Sequence, residues 1–181
     1  VRQRFKDFDG MREGSDVDGG YVVIHDDNTA RVAVDKLVVE ESTYETLRSL
    51  RLTDKNGERG RSDLRIPSLE EYISICKKYE KIAVLELKNH FEIEYVEEIV
   101  RTIESLEYLE GTVFISFDYD NMVNLKRLRP EAKAQFLISS FGEDLIDKLL
   151  AYNLDLDIHY KALTAEKVAL CHEKGIKVNC W

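Results

Sequence analysis

Three observations predict an α/β fold built on a parallel sheet, either doubly wound or closed into a barrel. From residue 66 onward, short apolar runs alternate regularly with longer amphipathic stretches. The runs VFISF, AQFLIS and IKVNCW lack a clean apolar/polar alternation, which predicts strands covered on both faces. The strand–helix units recur every ~20–30 residues, the length that a helical crossover between parallel strands requires. Spacing alone does not choose between the two arrangements.

The elements follow in order. Ser68 caps a helix over 69–79, and Glu71 completes a capping box, each side chain satisfying a backbone N–H that the first turn leaves free. Residues 82–87 predict a strand, 93–106 an amphipathic helix and 112–117 a strand. A helix over 121–128, a strand over 132–139, a helix over 143–152 and a strand over 154–159 continue the alternation. Thr164 caps a last helix that stops at Gly175, and 176–181 reads as a final strand. Both prolines, Pro67 and Pro130, fall at element boundaries. Residues 27–66 differ: they are rich in charge, contain one short helical piece at 43–50, and are expected to form an excursion over the site.

Composition narrows the function. The 181 residues carry a net charge of −9, which disfavours a broad nucleic-acid surface or an anionic membrane surface. No stretch approaches the ~18 apolar residues of a membrane span, so no stable membrane anchor is expected, and the chain reads as cytoplasmic. Cys76, Cys171 and Cys180 show no metal-type spacing and read as reduced, mostly buried thiols. Oligomerisation is left open.

In a parallel α/β protein the site lies at the carboxyl ends of the strands. The first strand candidate ends in Asp16; later ones carry Glu86-Leu87-Lys88, Phe117-Asp118 and His159, and His25 follows the apolar run YVVI. Carboxylates beside a histidine and a lysine suit a hard divalent cation and a phosphate substrate. The cation polarises phosphoryl oxygens, the histidine moves protons and the lysine holds negative charge. His90 and His172 read as ordinary surface or helix histidines.

Four segments, in order, carry a family resemblance: DGGYVVIHDDNTAR, IPSLEEYISICKKYEKIAVLELK, VFISFDYDNMVNLKRLRPEAKAQFLI and LTAEKVALCHEKGIKVNCW. Together they resemble the glycerophosphodiester phosphodiesterase family over nearly the whole chain. The resemblance implies a parallel (β/α)8 TIM-type barrel. It also implies metal-dependent hydrolysis of a small-molecule glycerophosphodiester to an alcohol and sn-glycerol 3-phosphate, with Mg²⁺ or Ca²⁺ as cofactor. By the family's motifs, His25 would be one of two acid/base histidines. Glu86 would bind metal with Asp16 and Glu13, and Lys88 would contact phosphate. Trp181 matches an aromatic near the site, and His159 sits where a residue could line it. Two alternatives remain: a catalytically inert barrel that binds a phosphodiester or metal, and a phospholipase-like lipid phosphodiesterase.

The chain departs from the family pattern at its beginning. VRQRFKDFDG holds no histidine to match the family's HRG strand. Glu13 and Asp16 are three apart rather than two, so on a regular strand they would face opposite ways. Only Val17 separates Asp16 from Asp18. Six barrel strands out of eight are therefore expected within 1–181. Further chain is expected before Val1, near Asp16–Asp18 and after Trp181, or else a partner chain supplying the missing strands.

Overall fold

The computed structural model describes the backbone of Gln3–Arg4 and residues 20–59 and 61–181. Glu13 and Asp16 lie outside these residues. The chain divides into two compact units, Val1–Ile75 and Cys76–Trp181.

In the first unit, strand β1 (Gln3–Arg4) pairs antiparallel with β2 (Val22–Val23). Val23 also donates its N–H to Pro67 O at 2.9 Å, and Tyr21 O accepts from Leu69 N at 3.0 Å. A core gathers Val22, Ile24, Ala33, Val39, Leu47, Leu50 and Ile66, so the charged segment 27–66 has an apolar centre of its own. Buried Thr29 organises the turn within it: its hydroxyl donates to Asp35 O at 2.5 Å and accepts from Leu37 N at 2.9 Å. The helical piece predicted at 43–50 is α1 (Tyr44–Ser49), capped by Thr43. Helix α2 (Leu69–Lys78) begins with the predicted capping box, Glu71 N–H to Ser68 Oγ at 3.2 Å and Ser68 N–H to Glu71 Oε2 at 2.9 Å. Arg48 binds the same Glu71 carboxylate through two nitrogens, at 2.7 and 2.6 Å, and donates to Ile66 O, fixing α1 to the entrance of α2.

The second unit is a parallel sheet of β3 (Ala83–Glu86), β4 (Thr112–Ser116), β5 (Lys133–Ile138), β6 (Asp155–Ile158) and β7 (Val178–Cys180), in chain order. Helices α3 (Ile93–Ser105), α4 (Tyr119–Leu128), α5 (Leu145–Ala151) and α6 (Ala165–Glu173) connect successive strands. Helix α3 shows why such segments fold as helices. Val96, Ile99, Val100 and Ile103 stand at the 3–4 spacing of one face, and all are 0 % exposed. Each such side chain contributes roughly 1.5–3 kcal/mol by leaving water. Gly175, at φ +76°, ends α6 in the left-handed conformation a helix C-terminus favours, and Ile176 N–H returns to Cys171 O at 2.9 Å.

Among the described residues the parallel sheet holds five strands and is not closed; the sixth expected strand, the candidate ending in Asp16, lies outside them, and Val22–Val23 pairs antiparallel with β1. One expectation is corrected here: the strands are not covered equally on both faces. Leu85, Phe114, Ala134, Phe136, Leu156 and Ile158 share one buried face, and α4 packs against β4 and β5. The opposite face is more open: Val84 is 38 % and Phe117 45 % exposed. Its polar side chains include Glu86, Gln135 and Asp157, which apolar averaging over short runs conceals.

Candidate functional site

Parallel pairing places the carboxyl ends of β3, β4, β6 and β7 along one rim, and four of the predicted residues gather there. The chain of contacts starts at Glu86, buried at the end of β3, with Lys88 two residues on. Two residues apart on an extended chain share a face. The Lys88 ammonium stands 3.1 Å from Glu86 Oε1 as an ion pair, with side-chain exposures of 19 % and 7 %. Lys88 Nζ also lies 5.9 Å from the Phe117 ring centre. Phe117 meets Trp181 edge-on at 5.8 Å, and Trp181 meets His159 at 4.7 Å. Trp181 N–H is held by Ile158 O at 3.2 Å and Tyr160 N–H by Trp181 O at 2.9 Å, so backbone bonds fix the aromatic end of the rim.

Two buried carboxylate oxygens here, Glu86 Oε1 and Asp157 Oδ1, have no hydrogen-bond donor among the described residues. For Glu86 Oε1 the Lys88 ammonium supplies charge without hydrogen-bond alignment, so the pair is electrostatic. Asp157, on β6, is 4 % exposed. Burial pushes its carboxyl up from the usual range; a hydrogen bond from Asn179 opposes this, and the Glu86 charge adds to it. Buried, unsatisfied carboxylate oxygens are what a hard divalent cation binds.

The β3 end is held by a buried network that sequence reasoning missed. Asn121, 0 % exposed in the first turn of α4, accepts from Phe91 N at 2.9 Å and donates to Asn89 O at 2.6 Å and to Ser116 Oγ at 3.2 Å. Ser116 Oγ in turn donates to Leu87 O at 2.6 Å. Every residue from Leu87 to Phe91 is thereby tied to β4 or α4 directly or through a neighbour. No pattern in the sequence marks Asn121, since an asparagine in a first helical turn is ordinarily solvated.

His25 belongs to the first unit. Its Nδ1 is 2.6 Å from Asp26 Oδ1, and Asp26 accepts from Arg31 Nε at 2.5 Å. The Arg31 hydrogen bond, followed by that of His25, holds the Asp26 carboxyl well below the usual carboxylate range. Asp26 therefore stays ionised and holds the His25 ring at Nδ1.

His90 is not a lone surface histidine. Its Nδ1 is 2.9 Å from Asp118 Oδ2, and with Asp120 the three offer ligand atoms within 4.8 Å of one another. The Asp118 hydrogen bond raises the His90 pKa from its ordinary value. Asp118 Oδ1 also caps α4, accepting from Asn121 N at 3.1 Å. Both Asp118 oxygens are thus engaged, and this group is more exposed than the Glu86–Asp157 face.

A parallel α/β sheet with a buried carboxylate–lysine pair at its strand ends defines the class: an α/β protein whose strand-end rim can hold a cation and an anion. The comparisons give the family. The sequence profile of the glycerophosphoryl diester phosphodiesterase family matches residues 17–181, and the chain belongs to that family. It is 25 % identical over 167 residues to a glycerophosphodiester phosphodiesterase of Caldanaerobacter subterraneus, covering 91 % of this chain and 68 % of the relative. The crystal structure of a glycerophosphodiester phosphodiesterase from Parabacteroides distasonis is similar at 27 % identity and TM-score 0.70, over 91 % of this chain and 66 % of that one. A phosphodiesterase from Oleispira antarctica, solved with its product sn-glycerol-3-phosphate, shares the fold at 24 % identity and TM-score 0.71, over 90 % of this chain and 67 % of that one. The chain thus spans about two thirds of the length of these relatives. The fold is the TIM type that the resemblance implied. Among the described residues no helix is long and apolar enough to cross a membrane.

Proposed function

We propose that the protein hydrolyses glycerophosphodiesters to an alcohol and sn-glycerol 3-phosphate, using Mg²⁺ or Ca²⁺. The observation that carries this reading is the buried Glu86 carboxylate at the β3 end, with an unsatisfied oxygen and Lys88 at 3.1 Å. Family membership and the product bound to the Oleispira antarctica relative support the substrate class.

The donor set fits a hard cation, which would be held by Glu86 and, from the family motif, by Asp16 and Glu13. Such an ion supplies Lewis-acid polarisation of the phosphoryl oxygens. The remaining roles belong to the chain. Lys88 turns from Glu86 to the phosphoryl oxygens and neutralises charge that grows in the transition state. For His25 we propose the proton transfer that its HD motif implies, with Asp26 fixing the tautomer. Trp181 and His159 line the strand-end rim and orient the alcohol portion. A small-molecule substrate, a cytoplasmic setting and a single phosphodiesterase barrel domain are parts of the same proposal.

The test is phosphorus NMR of glycerophosphocholine incubated with the intact protein. Glycerol 3-phosphate should accumulate, EDTA should stop it, and Mg²⁺ or Ca²⁺ should restore it. Full turnover in EDTA removes the cation, and phosphocholine as product removes the assigned bond cleavage.

A further inference from the structure

We infer that Asp157 is a ligand of the same divalent cation as Glu86, a deepening that rests on the function proposed above. Asp157 stands on β6, three strands from Glu86 in the sheet order, and on the same open face. The register shows this: Glu86, Ile115, Gln135 and Asp155 form one cross-strand row, and Asp157 is two residues beyond Asp155.

The two carboxylates are similarly placed but differently compensated. Glu86 has the Lys88 ammonium at 3.1 Å, whereas Asp157 Oδ1 is buried with no donor among the described residues. Two buried carboxylates on one face of the sheet, one of them without a counter-ion, cost free energy unless a cation offsets both. Asn179 completes the arrangement. It is the cross-strand neighbour of Asp157, and its Nδ2 is 3.5 Å from Gln135 Oε1. A neighbouring amide that fixes a carboxylate's orientation is what supports a metal ligand from behind. A carboxylate kept only for packing would instead have its buried oxygens satisfied by the protein.

The experiment titrates Mg²⁺ and Ca²⁺ calorimetrically into the intact, EDTA-stripped protein, its Asp157→Asn variant and its Glu86→Gln variant, with melting temperatures taken in EDTA. Asp157→Asn keeps size and shape and removes the charge. It should weaken cation binding by ~10-fold or more, on the scale of lost metal-site contacts. Its melting temperature in EDTA should equal or exceed that of the wild type, because an uncompensated charge is gone. Binding within twofold of wild type overturns the inference, and so does a lower melting temperature in EDTA. If Glu86→Gln abolishes binding while Asp157→Asn leaves it intact, Asp157 is no ligand and the metal reading stands. If the wild type binds neither ion, both fall.

Discussion

Asn121→Ala should destabilise the protein by about 2–6 kcal/mol. The figure follows from what the side chain satisfies. It is 0 % exposed, accepts the Phe91 N–H at 2.9 Å and donates to Asn89 O at 2.6 Å. Truncation leaves a backbone donor and a backbone acceptor without partners, each costing roughly 1–3 kcal/mol when buried. Ser116 Oγ still donates to Leu87 O at 2.6 Å, so the contact of Asn121 with Leu87, at 3.4 Å, adds little. Against a total stability of ~5–15 kcal/mol the loss is large. Urea unfolding followed by circular dichroism measures it as a lower midpoint at unchanged slope. The same network holds Leu87 and Asn89, the chain neighbours of Lys88, so turnover by the folded fraction should fall as well. A destabilisation under ~0.5 kcal/mol, the range of ordinary surface substitutions, would refute the reasoning.

Three further outcomes follow from the same geometry. Ser68→Ala removes half of the α2 capping box and should cost ~1 kcal/mol in urea unfolding; an unchanged midpoint contradicts the cap. The His90 pKa, read by proton NMR, should lie above its ordinary value, and Asp118→Asn should lower it, because the Asp118 hydrogen bond is the main cause of the rise. A folded pKa above the unfolded one means that the pair stabilises below the unfolded value, about 6.5, and loses that contribution as pH rises through the folded value. No change on Asp118→Asn would contradict this assignment. His25→Ala should lower kcat by about 10²–10⁴ if it transfers a proton, and a wild-type kcat on an alcohol leaving group removes that role.

Most of the second unit was legible in the sequence because its signals are local. The predicted helix at 93–106 is Ile93–Ser105, and the strand at 112–117 is Thr112–Ser116. Helix α4 begins at Tyr119, two residues before its predicted start, because Asp118 serves as its cap, a role that the reading of Phe117-Asp118 as a strand end overlooked. Helix ends at non-glycine left-handed residues, such as Glu107 at φ 53° and Asn153 at φ 50°, carry no strong signal, and there the predicted bounds run one residue long. The Val22–Val23 pairing was not legible, since a two-residue strand has no period to read.

The site divides in the same way. Glu86, Lys88, His159 and Trp181 were marked by motif or strand-end position, and the structure brings them to one rim. Asp157 and Asn121 were not marked, because their significance lies in burial and in partners 30 or more residues away in several cases, such as Phe91 for Asn121. His90 was read as an ordinary surface or helix histidine; it is exposed, and its partner Asp118 is 28 residues distant, beyond what local spacing shows.

The central claim is that the Glu86–Lys88 strand end is where a cation and a phosphodiester meet. The most direct measurement is initial-rate hydrolysis of glycerophosphocholine by the intact protein and by Glu86→Gln across a Mg²⁺ and Ca²⁺ titration, with both proteins checked for equal circular dichroism spectra. The account predicts a cation-dependent wild type and a folded Glu86→Gln protein whose activity is lost or needs far more cation. A Glu86→Gln protein with wild-type rate and wild-type cation dependence would contradict it.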